Sequence, residues 1–273
     1  MKTIIAPTDF SNSASNAVDY AVELAKYFSA KIILVNAYPI PETHYEMGGS
    51  FELLSTLKDV SLDNLEQLRD KILINAPQLN IECYSDMGHP YGVIDAVVRD
   101  KRADLVVMGI VGTAGKLKER FIGSTAVEVA RNLEVPTFII PEGVTYHEVN
   151  KISFACDLDK TEKTDLVYVA KYFAEKFHAE LEIVNVDDPE KEITIDKAVT
   201  NLFVERKLET VKHDRTQLSG KDVQEELENY FNSHYTDIVM VSPKKHNIFY
   251  NLFHKSVTKE LAFHAHKPIL AIH

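Results

Sequence analysis

Much of this chain occurs twice. With an offset of 149 positions, "IIAPTDFSNSASNAVDYAVELAKYFSAKIILVNA" (4–37) falls on "SFACDLDKTEKTDLVYVAKYFAEKFHAELEIVNV" (153–186). Ala6 then meets Ala155, Ala21 meets Ala170, and Ala30 meets Ala179. Further along, "ADLVVMG" pairs with "TDIVMVS" and "VPTFIIP" with "KPILAIH", at an offset near 132. The matching segments keep their order, as a duplicated domain would. A length of 273 residues accommodates two domains of ordinary size. The boundary is expected in "PEGVTYHEVN" (141–150), giving domains 1–146 and 147–273.

Each half alternates strand and helix signals. "KTIIAP" is a short apolar run that ends in the turn Pro7-Thr8-Asp9. The segment after it sets Ala17, Ala21, Leu24, Ala25 and Phe28 at helical spacing, with Ser11 or Ser13 as N-cap. "KIILVNAY" shows no polar alternation, which suits a strand covered on both faces. A leucine stripe (Leu54, Leu57, Leu62, Leu65, Leu68 and Ile72) marks the core face of a second helix. Then follow strand "IECYSDMG", helix "YGVIDAVVRDKR", strand "ADLVVMG", helix "GSTAVEVARNL" and strand "TFIIP". The second half repeats the plan, although "ITIDKAVTNLFVERKLETVKH" is hard to divide between helix and strand. The predicted fold class is therefore α/β: two tandem doubly wound domains, each a five-stranded parallel sheet with helices on both faces, linked by right-handed crossovers.

A formal charge of −11 argues against nucleic acid and against an anionic membrane surface as partners, since both need a basic face. The N-terminal residues do not read as a signal peptide, and no apolar run reaches the roughly 18 residues of a membrane span. Cys83 and Cys156 lie far apart without metal-like spacing and read as buried thiols. The location expected from these signals is cytoplasmic.

In an open parallel sheet, ligands collect beyond the carboxyl ends of the strands, where the strand order reverses. Three segments qualify: Pro7-Thr8-Asp9, Asn36-Ala37-Tyr38, and the glycine stretch that opens at Met108. The Asp9 carboxylate accepts hydrogen bonds only, which suits the hydroxyls of a sugar; it could equally cap the helix that follows. The stretch "MGIVGTAGKLKERFIGST" contains Gly109, Gly112 and Gly123, then Ser124 and Thr125 at a helix start. Glycines let backbone approach an anion, and a helix N-terminus offers unpaired N–H groups. Lys116, Lys118 and Arg120 add positive charge. A Walker A loop would need glycine at Ile110 and Ser or Thr at Leu117, so this is not one. His264-Ala-His266, with His254 and His273 nearby, lacks ligand spacing for a metal. "GHPYG" (88–92) reads as a turn whose proline starts a helix.

On "PTDFS" after the first strand, "MG" with its glycine-spaced loop and "GS" after the fourth, and "VPTFIIP" as the last strand, the chain resembles the universal stress proteins in their tandem form. The resemblance implies a fold similar to the adenine nucleotide alpha hydrolases, which is Rossmann-like. Nucleotide-binding members carry Gly-x2-Gly-x9-Gly-(Ser/Thr); Gly109, Gly112, Gly123 and Ser124 match it with one extra residue before the third glycine. By that resemblance Asp9 would hold ribose, the backbone near Ala37 would border adenine, and Pro7 and Thr8 would belong to the same nucleotide site. Met108 and Gly109 would line the cleft, and Gly112, Gly123, Ser124 and Thr125 would hold phosphates. The implied cofactor is ATP or another adenine nucleotide, with Mg²⁺ as an option, in a stress-sensing regulatory protein rather than a fast catalyst. In the second half Leu158, flanked by Asp157 and Asp159, aligns with Asp9, and Ser242, Lys245 and Lys255 stand opposite the three glycines. No nucleotide site of the same kind is expected there. The resemblance also implies a pseudo-dimer within the chain, with 137–141 antiparallel to 269–273, or a homodimer of tandem chains. The competing classes are a scaffold without nucleotide and a slow ATPase.

Overall fold

The computed structural model describes residues 1–38, 51–110, 124–156, 164–187, 195–242 and 267–273. Gly112, Gly123, the basic residues at 116, 118 and 120, the Asp157–Asp159 segment, Lys245, Lys255, and the histidines at 254, 264 and 266 lie outside the described residues. The described chain forms two compact units that part between Tyr146 and His147.

The first unit runs β1 (Thr3–Pro7), α1 (Asn12–Phe28), β2 (Lys31–Tyr38), α2 (Phe51–Asn75), β3 (Ile81–Met87), α3 (Pro90–Lys101), β4 (Leu105–Ile110), α4 (Ser124–Asn132) and β5 (Thr137–Pro141). Its sheet is parallel throughout, in the order β3-β2-β1-β4-β5. Strand order therefore reverses between β1 and β4. The right-handed rule for parallel crossovers assigns α1 and α2 to one face and α3 and α4 to the other, and α3 and α4 pack together. The uninterrupted apolar runs of β1, β2 and β4 are what two-sided cover requires: Ile4, Ile5, Ile32, Ile33, Leu34 and Leu105 are fully buried. Of the leucine stripe on α2, Leu65 and Ile72 are buried, whereas Leu54, Leu57, Leu62 and Leu68 are partly exposed. The buried Ser61 occupies a core position among them.

The second unit runs β6 (Lys151–Ala155), α5 (Thr164–Phe177), β7 (Glu180–Asp187), α6 (Ile195–Leu208), β8 (His213–Ser219), α7 (Val223–Ser233), β9 (Ile238–Val241) and β10 (Ile269–Ala271). Its parallel sheet has the order β10-β9-β6-β7-β8. The segment that was hard to divide is helix to Leu208 and strand from His213.

Two devices recur in both units. The Asp104 carboxylate accepts the amides of Lys2 (2.6 Å) and Thr3 (2.9 Å), and Asp237 accepts those of Asn150 (2.8 Å) and Lys151 (2.9 Å), so each ties the start of a strand to its neighbour. Ser29 and His178 end α1 and α5 in the left-handed region, with φ of 53° and 54°. The next amides, of Ala30 and Ala179, then reach back to the carbonyls of Ala25 and Ala174 at 2.9 Å. This cap buries both alanines and explains their match in the repeat.

The same hydrogen bonds correct the alignment of the repeat. Thr8 N–H donates to the Val35 carbonyl and Cys156 N–H to that of Val184. Thr8 therefore corresponds to Cys156, while the counterpart of Asp9, read from sequence as Leu158, lies outside the described residues. The first strands match at an offset of one less than the helices and strands that follow them.

Candidate functional site

The turn after β1 is built by its own side chains. Thr8 Oγ1 accepts the Phe10 amide at 3.0 Å, and Asp9 Oδ1 accepts the Ser11 amide at 3.0 Å. Phe10 sits at φ 63°, a left-handed conformation that costs a residue with a Cβ about 1–2 kcal/mol. Ser11 is the N-cap of α1, its Oγ accepting the Ala14 amide at 3.3 Å. The two roles weighed for Asp9 thus divide between its oxygens. Oδ1 braces the turn, while Oδ2 has no hydrogen-bond donor among the described residues.

A buried polar chain fixes this turn to the sheet. Asn36 Nδ2 donates to the Thr8 carbonyl at 2.7 Å, Ser61 Oγ donates to Asn36 Oδ1 at 2.6 Å, and Ser61 also bonds Ser85. One carbonyl at the site is thereby linked to β2, α2 and β3. The matching Asn185 in the second unit bonds Asp187 at 2.6 Å instead.

Gly109, in β4, approaches α1 so closely that a Cβ there would lie 2.2 Å from the Ser13 carbonyl oxygen. Its glycine is therefore required by packing between strand and helix. In the second unit Ser242 stands at this position.

These elements enclose a cleft of about 260 Å³ at the point where the strand order reverses. The volume is close to the lower end of the roughly 300–1,000 Å³ that small-molecule pockets span. Of the residues expected from sequence, Pro7, Thr8, Asp9, Ala37, Met108, Gly109 and Thr125 line this one cleft. Ser124 is the first residue of α4. The reading missed Ser11, Ser13 and Ala14 from the first turn of α1, Val35 from β2, Pro90 and Ile94 from α3, and Ala126 from α4. Pro90 belongs to the "GHPYG" segment: it opens α3 after the N-cap His89, and it also walls the cleft. Its signal was available, since α3 begins at the carboxyl end of β3, on the same edge as the other segments. Among the described residues no three His, Cys, Asp or Glu side chains are grouped to hold a metal ion, and Asp9 is the single charged residue lining the cleft. The lining can therefore offer an occupant an apolar slot, one carboxylate and the hydroxyls of Thr8, Ser11, Ser13 and Thr125.

Comparison with known proteins fits this architecture. Residues 1–141 match the model of the universal stress protein family. A universal stress protein of Methanocaldococcus jannaschii is 30% identical over 142 residues, covering 51% of this chain and 81% of the relative. One from Mycobacterium tuberculosis is 27% identical over 150 residues, covering 51% of this chain and 95% of the relative. Across its length the chain shares the fold of a universal stress protein from Archaeoglobus fulgidus, with a TM-score of 0.68 at 17% identity, covering 99% of this chain and 95% of that one. The family match to the first half and the shared fold across both halves agree: the chain belongs to the universal stress protein family.

Proposed function

We propose that the chain binds ATP or another adenine nucleotide in the cleft of its N-terminal half, residues 1–146, and acts as a stress-response regulator that senses this ligand. Residues 147–273 form a half with the same fold, for which no nucleotide site of that kind is proposed. The observation that carries the reading is the pairing of an acceptor with no donor among the described residues, Asp9 Oδ2, with an apolar slot at the strand-order reversal. The lining suits a nucleoside. Val35, Ala37, Pro90, Ile94 and Met108 offer the base an apolar surface, and Asp9 offers a sugar hydroxyl its acceptor. Thr125 and the first amides of α4 would meet phosphate oxygens, joined by Gly112, Gly123 and Ser124. Mg²⁺, where present, would be held chiefly by those phosphates, with Asp9 as the lone lining carboxylate among the described residues.

The side chains facing the cleft are suited to holding a ligand, which favours a sensing role in the cytoplasm over rapid turnover. No described helix is long and apolar enough to cross a membrane. To test the proposal, purified protein is heat-denatured and the released small molecules identified by mass spectrometry, and ATP is titrated into the native protein by calorimetry. An adenine nucleotide in the extract, or saturable binding of ATP, is expected. An empty extract together with no binding at millimolar ATP would refute it.

A further inference from the structure

Two of the hydroxyls lining the cleft form a pair. Ser11 Oγ and Ser13 Oγ lie 3.2 Å apart, and Ser11 Oγ also accepts the Ala14 amide at 3.3 Å. The pair owns two protons, and each oxygen can donate only one. One proton lies between the two oxygens, while the Ala14 amide occupies a lone pair and absorbs none. Whichever serine donates within the pair, one hydroxyl proton is left without an acceptor among the described residues. Ser13 is 7% exposed and Ser11 is half-buried, and both line the cleft, so whichever holds the free proton, an occupant that expels water must supply its acceptor. The backbone that carries Ser13 packs closely on the bare Gly109 backbone.

Asp9 has the opposite polarity. Its Oδ2 accepts only, and no described group donates to it. The lining thus asks an occupant for one donor and one acceptor. A ribose cis-diol carries both, since each hydroxyl can donate one hydrogen bond and accept another. We propose that the Ser11–Ser13 pair is a specificity element, donating to one hydroxyl of a ribose cis-diol while Asp9 accepts from its neighbour, so that the site selects ribonucleotides over deoxyribonucleotides. This rests on the adenine-nucleotide reading above and adds to it which part of the ligand is discriminated, and by which groups.

The test is calorimetric titration of ATP, 2′-deoxy-ATP and 3′-deoxy-ATP into the wild-type chain and a Ser11→Gly/Ser13→Ala variant. Both serines must change, because either alone keeps a free proton. Glycine is nearly as good an N-cap as serine, so α1 should survive. If a thermal melt shows the variant unfolded, Ser11→Asp/Ser13→Ala replaces it, keeping the cap with an acceptor that carries no proton. The wild type is expected to prefer ATP by about 3- to 10-fold over the analogue lacking the hydroxyl that the serines meet, the worth of one neutral hydrogen bond, and by about 10- to 150-fold over the analogue lacking the hydroxyl that donates to the Asp9 carboxylate. In the variant the preference over one analogue should vanish while the other, set by Asp9, persists. A folded variant that keeps both preferences, or a wild type that binds all three nucleotides equally, overturns the inference. A wild type that binds no ATP overturns the nucleotide reading itself.

Discussion

A Cβ on Gly109 would also meet the Ser13 carbonyl carbon at 2.6 Å and the Ala14 nitrogen at 3.0 Å. All three atoms belong to backbone in the first turn of α1, which cannot swing aside as a flexible side chain would. The family resemblance assigns this glycine to the cleft, yet helix packing alone accounts for it. The two roles predict different things. Gly109→Ala should lower stability by about 1–3 kcal/mol, as overpacking does, and should weaken nucleotide binding because Ser11 and Ser13 move with the turn. Denaturant unfolding of the ligand-free protein checks the first effect. An unchanged midpoint would mean that the helix shifts freely and that the glycine serves ligand approach alone.

Ser29 and His178 raise the complementary case of positions that lack a glycine where backbone favours one. Both hold φ above 50° at the end of a helix, in matching places of the two units. The left-handed strain of about 1–2 kcal/mol exceeds the extra chain entropy that glycine loses on folding, about 0.5–1 kcal/mol. Ser29→Gly and His178→Gly should therefore each stabilise the chain by about 0.5–1 kcal/mol, read as a raised denaturation midpoint with the far-ultraviolet spectrum unchanged. These caps also bear on what was legible in the sequence. The strands and helices were readable because apolar runs and helical spacing are local, and the alanines after the caps matched because both are buried in the same turn. The register of β1 against β6 was not readable. "TIIAP" and "KISFA" are both apolar enough to match at either of two offsets, and only their pairing to β2 and β7 separates these. The Asn36–Ser61–Ser85 chain was equally hidden: its members lie 24 or 25 residues apart and carry no periodic signal. Six of the cleft residues were readable because strand ends are predictable, and Thr125 because a helix start follows the glycine stretch. The contribution of α1 was not, because it depends on how closely Gly109 lets that helix approach.

The two units differ most in what they bury. In the second, the Glu182 carboxylate is buried and accepts from Lys151 at 3.0 Å, Ser153 at 2.6 Å and Tyr230 at 2.6 Å. Burial alone would push its pKa up, but these donors outweigh it and hold the carboxyl below the usual glutamate range. Tyr230, buried against the same carboxylate, is pushed up to about 12. Asp237 behaves like Glu182: burial opposes its charge, and Tyr235, the two strand amides and His147 more than compensate. His213 tilts the other way. Its Nδ1 faces the Val211 carbonyl at 2.8 Å and its Nε2 faces Glu205 at 3.0 Å, two acceptors that only the doubly protonated ring can satisfy. Burial pulls its pKa down, but the Val211 carbonyl and Glu205, with Asp214 nearby, raise it overall, while Arg215 shares Glu205 at 3.4 Å. The signs then follow from linkage. The depressed carboxyls contribute stability that is present above their unfolded values, about pH 4, and lost as pH falls through the lower folded ones. The raised His213 contributes stability that is full below its unfolded value, about pH 6.5, and lost as pH rises through the higher folded one. The second unit should therefore be most stable in the mildly acidic range and should loosen on both sides of it. Amide hydrogen exchange across a pH series, corrected for the intrinsic rate, would read this in β8 and the end of α6. His213→Gln should lower protection near pH 5 and abolish the decline above neutrality, while Glu182→Gln should leave that decline in place and weaken the acid one. Protection in wild-type β8 that stays level from pH 5 to pH 9 would mean that folding leaves the His213 pKa unshifted and that its two contacts do not favour the charged ring.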